Sequence, residues 1–498
     1  MITSWSQYGR RVSRIRLSHA VVGGWAAAAL CAATYMNELD ILVGVVGFSL
    51  LVFWCLIRPE SALIVLISAS VVLPVEVSVH YGSMPRISPI RILLAAMFCA
   101  ELYRLFVLGR KIGRLSGVPL FRWIVALLIY KASVSLISID LQRSFISVAS
   151  MIVEFMFPFY LLWIYIEQPG FWSKLRKTLY VVAVVVCVLA LLEEITRANP
   201  LINFLDGEQL EVRAGLLRVR STFFHPIALA CFINLLMPLV LIDLFSAKAI
   251  GRKCALFAFS LLLVLISVMT VSRVPLLLLT VEIAIVYASW LRVQARSLLL
   301  RACCIGIVIS GILFAVMQSE TLSSMVKKDI NPNHISYGQV NEASSEYYRI
   351  ALLEAVVNRL QGWRWIIGVG PGTFQIADVE ASYDGYDHIL TAPDSHYIRV
   401  LLELGILGVI LSAILGGKVL TLCWRAICRV DSMDKVSAIG AAVAVAAFFA
   451  VNATVSMFGI FPLSNLFWLH VAICAHMIKS RGIDRSTVVV ARRIEVPG

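Results

Sequence analysis

The stretch Pro393-Asp394-Ser395-His396-Tyr397 sets an acid and a histidine two residues apart, just ahead of an apolar run. Either side chain could take a proton from a hydroxyl group, as a general base does. Histidine titrates near neutral pH, whereas an aspartate is ionised and a weak base unless desolvation raises its pKa. A second set is made of arginines. Arg218 and Arg220 precede Phe223-Phe224-His225-Pro226, Arg273 lies in Thr270-Val271-Ser272-Arg273-Val274-Pro275, and Arg349 follows Tyr348. Guanidinium groups are always charged and can grip two phosphate oxygens at once. Several of them at one membrane face would suit a pyrophosphate carried on a lipid tail, although any single one could equally be an interfacial anchor. Gly368-Val369-Gly370-Pro371-Gly372-Thr373 offers successive N–H groups that could cradle phosphate. It lacks the strand–turn–helix frame of a dinucleotide fingerprint, and a plain turn back to the membrane accounts for it as well.

The elements that must position these residues are membrane helices. Apolar residues make up 60% of the chain and charged ones 15%, against about 25% charged in soluble domains. Apolar runs of roughly 17–25 residues, long enough to cross a bilayer, recur near 20–36, 39–57, 61–79, 87–107, 123–139, 144–166, 178–195, 223–246, 254–271, 274–291, 302–317, 397–421, 436–456 and 462–478. The expected fold is therefore an all-α polytopic membrane protein of about 12–14 transmembrane helices. It is read as a single integral membrane domain over residues 1–498, with an outer loop at 196–222 and a long hydrophilic loop at 318–395. Within the long loop, Glu346–Leu360 reads as an amphipathic helix with Leu352, Leu353, Val356, Val357 and Leu360 on its apolar face, ended by Gln361-Gly362.

The formal charge of +13 comes from basic clusters between the apolar runs, among them Lys174, Arg176 and Lys177, then Lys248, Arg252 and Lys253. Their alternation follows the positive-inside rule, with both termini cytoplasmic, and argues against a nucleic-acid partner. Arg197, Arg213, Arg218 and Arg220 break that rule on the outer side, which suits an anionic ligand there, although translocation also tolerates a few arginines. The 11 cysteines show no zinc-ligand or redox spacing, so no metal and no cofactor are expected. The basic segment Arg10–Arg16 before an Ala-rich run reads as the flank of an uncleaved first helix.

Arg218–Ala230, Thr270–Pro275, Tyr348–Phe374 and Asp394–Gly408, in that order, resemble the signatures of the O-antigen ligase and Wzy-type polymerase superfamily over the C-terminal half. The family motif reads His, then Asn, Ser or Gln, nine residues, Gly, two residues, Gly. Here Asp394 and Ser395 stand at its start and Gly405 and Gly408 at its end, with His396 two places beyond the usual histidine position. The resemblance implies a GT-C-like fold with a helical periplasmic cap and a metal-independent, inverting glycosyltransferase of a bacterial inner membrane. It also implies undecaprenyl-pyrophosphate-linked oligosaccharide as donor, and an acceptor glycan or lipid A core as the other substrate. Arg218 or Arg220, Arg273 and Arg349 would hold the pyrophosphate, and Asp394 or His396 would orient or deprotonate the acceptor. The Asp–Ser variant favours a polymerase, of O-antigen or exopolysaccharide, over a ligase. Membrane lipids and other polysaccharide-export proteins are the remaining expected partners. A flippase of lipid-linked sugars is the competing class, because Glu154 and Glu282 fall mid-span, where ionisable residues are costly. A structural assembly partner that only binds glycan is a third.

Overall fold

The computed structural model describes residues 39–73, 88–109, 118–201, 212–213, 216–294, 342–383, 386–390 and 395–494. The chain forms two compact units, one built from residues up to Ser70 with Val77–Gly117, the other from Val71–Glu76 with Val118–Gly498. The smaller unit holds α1 (Leu39–Ile57), most of α2 (Pro59–Val72) and α3 (Pro89–Phe106). Pro59 has no N–H to give the carbonyl of Cys55, so the helix breaks there and α1 and α2 meet at a 117° bend. Arg104 of α3 supplies the missing donor: its Nη2 lies 2.9 Å from the Cys55 carbonyl and 2.5 Å from that of Leu56, and its Nη1 pairs with Glu101. A buried arginine is tolerated here because these contacts are charge-assisted.

The larger unit contains α4 (Phe121–Ser135), α5 (Leu141–Tyr165), α6 (Phe171–Thr196), α7 (Pro226–Ser246), α8 (Ile250–Met269), α9 (Arg273–Gln294), α10 (Glu342–Arg359), α11 (Arg364–Ile367), α12 (His396–Arg429), α13 (Ser432–Val451) and α14 (Phe461–Ile494). Two short antiparallel hairpins, β1 (Val212–Arg213) with β2 (Leu216–Leu217) and β3 (Val379–Tyr383) with β4 (Tyr386–Leu390), lie in the connections. Helix α7 is apolar all round and buried along nearly its whole length, as a central helix must be. Pro238 inside it cannot donate to the preceding turn, and Nε2 of His470 on α14 sits 2.7 Å from the Leu235 carbonyl there. Aromatic packing closes the centre: Phe159 and Trp468 rings stand 4.4 Å apart, and Phe448 and Phe467 4.8 Å apart.

An all-α polytopic membrane protein is what this is. Among the described residues 8 helices are long and apolar enough to cross a membrane, or 9 if the bent α1–α2 pair is one span. The expected separate spans at 39–57 and 61–79 are thus one broken pair, because Pro59 interrupts the run. The expected span at 123–139 is a helix of 15 residues, and those at 20–36 and 302–317 lie outside the described residues.

The amphipathic helix of the long loop is present as α10, but its buried face is turned from the one expected. Leu352, Ala355, Val356 and Leu360 are buried, whereas Leu353 and Val357 are 44% and 36% exposed. The covered stripe is centred on Leu352 and reaches round to Ala355, which leaves Leu353 and Val357 at its uncovered edge. The buried stripe packs with Val369, Phe374, Ala377, Val379 and Leu402 into a separate small core that joins the cap to α12.

Ion pairs mark one end of the bundle. Arg176 and Arg252 meet Asp243, and Lys479 meets Glu167 at 2.6 Å, at one end. The loops that carry Arg218, Arg273 and His396 lie at the other.

Candidate active site

The last turn of helix α6 carries Glu193-Glu194, and Glu193 is fully buried. Its carboxylate accepts the backbone N–H groups of Ser221 at 2.7 Å and Arg220 at 3.1 Å and the amide of Asn199 at 3.2 Å. Ser221 takes a left-handed backbone with φ of 55°, and its Oγ donates to the Val186 carbonyl at 2.8 Å. The segment before α7 is therefore pinned to α6 by one carboxylate. His225 caps α7 by accepting the Ile227 N–H at its Nδ1.

That pinned segment lies against the tight turn between α8 and α9. The Val219 N–H donates to the Met269 carbonyl, while Arg218 reaches the Thr270 carbonyl through Nε at 3.3 Å and the Ser272 hydroxyl through Nη2 at 3.4 Å. Arg273, the first residue of α9, is exposed beside the same turn. The structure thus brings Arg218 and Arg273 to one turn. Arg220 is buried, with Nη1 at 3.5 Å from the Phe224 carbonyl, so it braces this segment from within. Removing the pin should loosen it. Glu193→Ala leaves two buried N–H groups without an acceptor, each worth about 1–3 kcal/mol. A melt in detergent is expected to drop by several degrees for Glu193→Ala and by less for Glu193→Gln, which keeps one acceptor oxygen.

The glycine-rich loop has a different role from phosphate binding. Gly368 and Gly405 both adopt backbone angles open only to glycine, φ 81° with ψ −168° and φ 63° with ψ −169°. The two chain segments cross backbone to backbone at these points. A Cβ on Gly405 would stand 2.4 Å from the Ile366 carbonyl oxygen, and one on Gly368 2.4 Å from the Glu403 carbonyl carbon. Gly405 interrupts α12, and the carbonyls near the break are taken up from outside. Leu402 accepts the Val369 N–H at 2.9 Å, Glu403 the Gly370 N–H at 3.0 Å, and Leu404 the Tyr130 hydroxyl at 2.7 Å. Gly370 and Gly372 press onto Ser138, Ser144 and Ser147 at the α4–α5 junction. The N–H groups of Gly368, Val369 and Gly370 are spent on Arg364, Leu402 and Glu403, so this loop is a clasp that holds the start of α12.

His396 begins α12. Its N–H, one of the donors a helix start leaves over, goes to the Asn452 carbonyl at 3.0 Å. The imidazole Nδ1 lies 3.1 Å from Ser456 Oγ, and its ring packs at 4.8 Å on Phe458. Buried Asn452 shapes that turn: its Oδ1 accepts the N–H groups of Met457 and Phe458 at 2.9 and 3.1 Å. Nε2 of His396 has no hydrogen-bond partner among the described residues, so it is the nitrogen left for an incoming group. His396 stands at the same end of the bundle as Arg218 and Arg273, but no contact among the described residues links it to them. Arg349 lies on α10, with its side chain outside the described residues, as is Asp394.

Sequence reasoning passed over Glu193, Asn452, Tyr130 and Lys131. Glu193 could have been noticed as an acid closing an apolar run, and Lys131 as a lone cation inside one; both are costly placements that need a reason. Among the described residues no group of three or more His, Cys, Asp or Glu could hold a metal ion.

No curated protein matches the chain. Residues 258–413, from within α8 to the middle of α12, are similar to the family whose model is described as O-antigen ligase.

Proposed function

We propose that the protein is a periplasmic-face glycosyltransferase of a bacterial inner membrane that extends undecaprenyl-pyrophosphate-linked oligosaccharide, a Wzy-like polymerase. The observation that carries this reading is the convergence of Arg218 and Arg273 on one turn, at the end of the bundle where His396 presents a nitrogen without a partner. In the reaction, an acceptor hydroxyl attacks the anomeric carbon of the donor sugar from the face opposite the carrier. A C–O bond forms, the bond to the pyrophosphate oxygen breaks, and the configuration inverts. Arg218 and Arg273, with Arg349 from the cap and Arg220 behind them, hold the pyrophosphate. They offset the negative charge that grows as it leaves, the kind of electrostatic stabilisation that dominates such catalysis. His396 or Asp394 orients the acceptor hydroxyl and takes its proton. Neither a metal nor a cofactor has a step in this scheme.

The Asp394-Ser395 variant of the motif favours polymerase over ligase. Buried Glu282, whose carboxyl oxygens have no hydrogen-bond partner among the described residues, is the observation that keeps a flippase as the second reading. The deciding experiment reconstitutes the purified protein in nanodiscs with undecaprenyl-pyrophosphate-linked oligosaccharide as sole substrate, following product length and released carrier. Longer lipid-linked chains are expected. Transfer only after lipid A core is added would make the protein a ligase, and no transfer in either case from folded protein would turn the reading to transport.

A further inference from the structure

The clasp also sets the depth at which the cap sits. Gly405 breaks α12 into a short first segment and a longer second one. From Gly405 to exposed Trp424 the helix runs about 28 Å, close to the roughly 30 Å of a bilayer's hydrocarbon core. Lys418, the one charged residue between them, lies over the Trp123 ring at 5.5 Å. Gly405 therefore stands at the membrane–water boundary of the end that carries His396. Helix α11 is held at that level. The Ile366 backbone lies against Gly405, and the Tyr130 hydroxyl reaches the Leu404 carbonyl at 2.7 Å and the Ile366 carbonyl at 3.4 Å. Ile367 and Val409 pack on the same cluster of Val134, Val400 and Leu404. Yet Trp363, Trp365 and Ile366 are exposed, and the Arg364 guanidinium lies over the Trp363 ring at 5.7 Å. Tryptophans beside an arginine at this depth have the composition of a membrane-interface belt.

Helix α10, a few residues before α11, carries a matching strip. Its Leu352, Val356 and Leu360 side is buried in the small core, and Glu354 and Asn358 are exposed. Between these two sides stand Ile350, Leu353 and Val357, all exposed and within about 60° of arc at 3.6 residues per turn. Six large apolar side chains left uncovered on a hydrophilic loop mark an interaction surface. A helix with one side on protein, the next apolar and the third polar suits a bilayer interface. We infer that this strip and the exposed tip of α11 rest in the boundary between headgroups and acyl chains, so that the cap docks on the phospholipid surface. A lipid surface is the partner because the uncovered tip continues into Ile406, Leu407 and Ile410, exposed on the membrane-crossing part of α12. The docking does not depend on which reaction the protein performs. In the transferase reading it keeps α10, which carries Arg349, at headgroup height, and that role alone rests on the proposed activity.

The test uses the full-length protein with the photo-crosslinker p-benzoylphenylalanine placed, one position at a time, at Val357, Trp363 or Asn358. All three positions are exposed, so the substitutions should leave the fold intact, and a melting curve on each preparation checks this. Each protein is irradiated in nanodiscs of phosphatidylethanolamine and phosphatidylglycerol and, separately, in native membranes, and the adducts are weighed by mass spectrometry. Phospholipid adducts are expected at Val357 and Trp363 in both settings, with none at Asn358 on the polar side. A missing phospholipid adduct at Val357 or Trp363, or an equal one at Asn358, overturns the docking. A polyprenyl lipid or a protein captured at the first two positions in native membranes, in place of phospholipid, also overturns it and names the occupant instead. Turnover by the variants bears only on the role of the docked cap. A protein that transfers no sugar but gives the expected adducts would lose the transferase reading and keep the lipid-docked cap.

Discussion

Gly405→Ala is expected to prevent stable folding of the larger unit, while Gly417→Ala, three turns further along the same helix, is tolerated. At Gly405 the backbone has φ 63° and ψ −169°, and an added Cβ would meet Ile366 O, Ile366 C and Ile367 N at 2.4–2.5 Å. None of these is a flexible side-chain end, so the backbone crossing itself would have to open. That would release the Val369 and Gly370 hydrogen bonds to Leu402 and Glu403 and uncover the small core around Leu352, Val356 and Leu402. Losses of this kind belong to the rare class above about 4 kcal/mol. Gly417 has nothing within 4 Å of an added Cβ, and alanine in a helix interior is better than glycine by about 0.8–1 kcal/mol. Fluorescence-detected gel filtration after a temperature ramp would separate them. A Gly405→Ala protein as stable as wild type would mean that the clasp does not hold α12.

Arg273→Ala should leave the fold intact and remove most of the transfer rate. Arg273 is exposed at the start of α9, and surface substitutions away from special backbone sites usually change stability by no more than about 0.5 kcal/mol. Its proposed work falls in the transition state, where charge accumulates on the departing pyrophosphate. Removing one donor from such a site typically costs about 10²–10³ in kcat. Arg273→Lys keeps the charge without the two-pronged geometry and should recover only part. Initial rates of carrier release, with a melting curve on the same preparation, check both halves of the expectation. Full activity in Arg273→Ala would take the donor site away from this turn.

Much of the architecture was legible in the chain itself. The apolar runs specify membrane helices because a backbone in hydrocarbon must satisfy its own hydrogen bonds. Helix α10 was legible from its 3.6-residue period, and residue type and spacing were enough to single out His396 and the arginines at 218, 220 and 273 as candidates. Composition and periodicity are local properties, so one sequence carries them. They could not separate the stripe of Leu352 and Val356 from that of Leu353 and Val357, since which side of a helix is covered depends on what packs there. Nor could they show that Pro59 turns two expected spans into a broken pair whose carbonyls Arg104 completes. The glycine loop looked like a phosphate cradle or a turn, and is a clasp only because Gly368 and Gly405, distant in sequence, cross at contact distance. The same holds for Glu193 under Arg220 and Ser221 and for Tyr130 on the Leu404 carbonyl. Each depends on a backbone group or charge contributed from another segment, and a hydrogen bond falls away within a fraction of an ångström, so only the folded chain decides it.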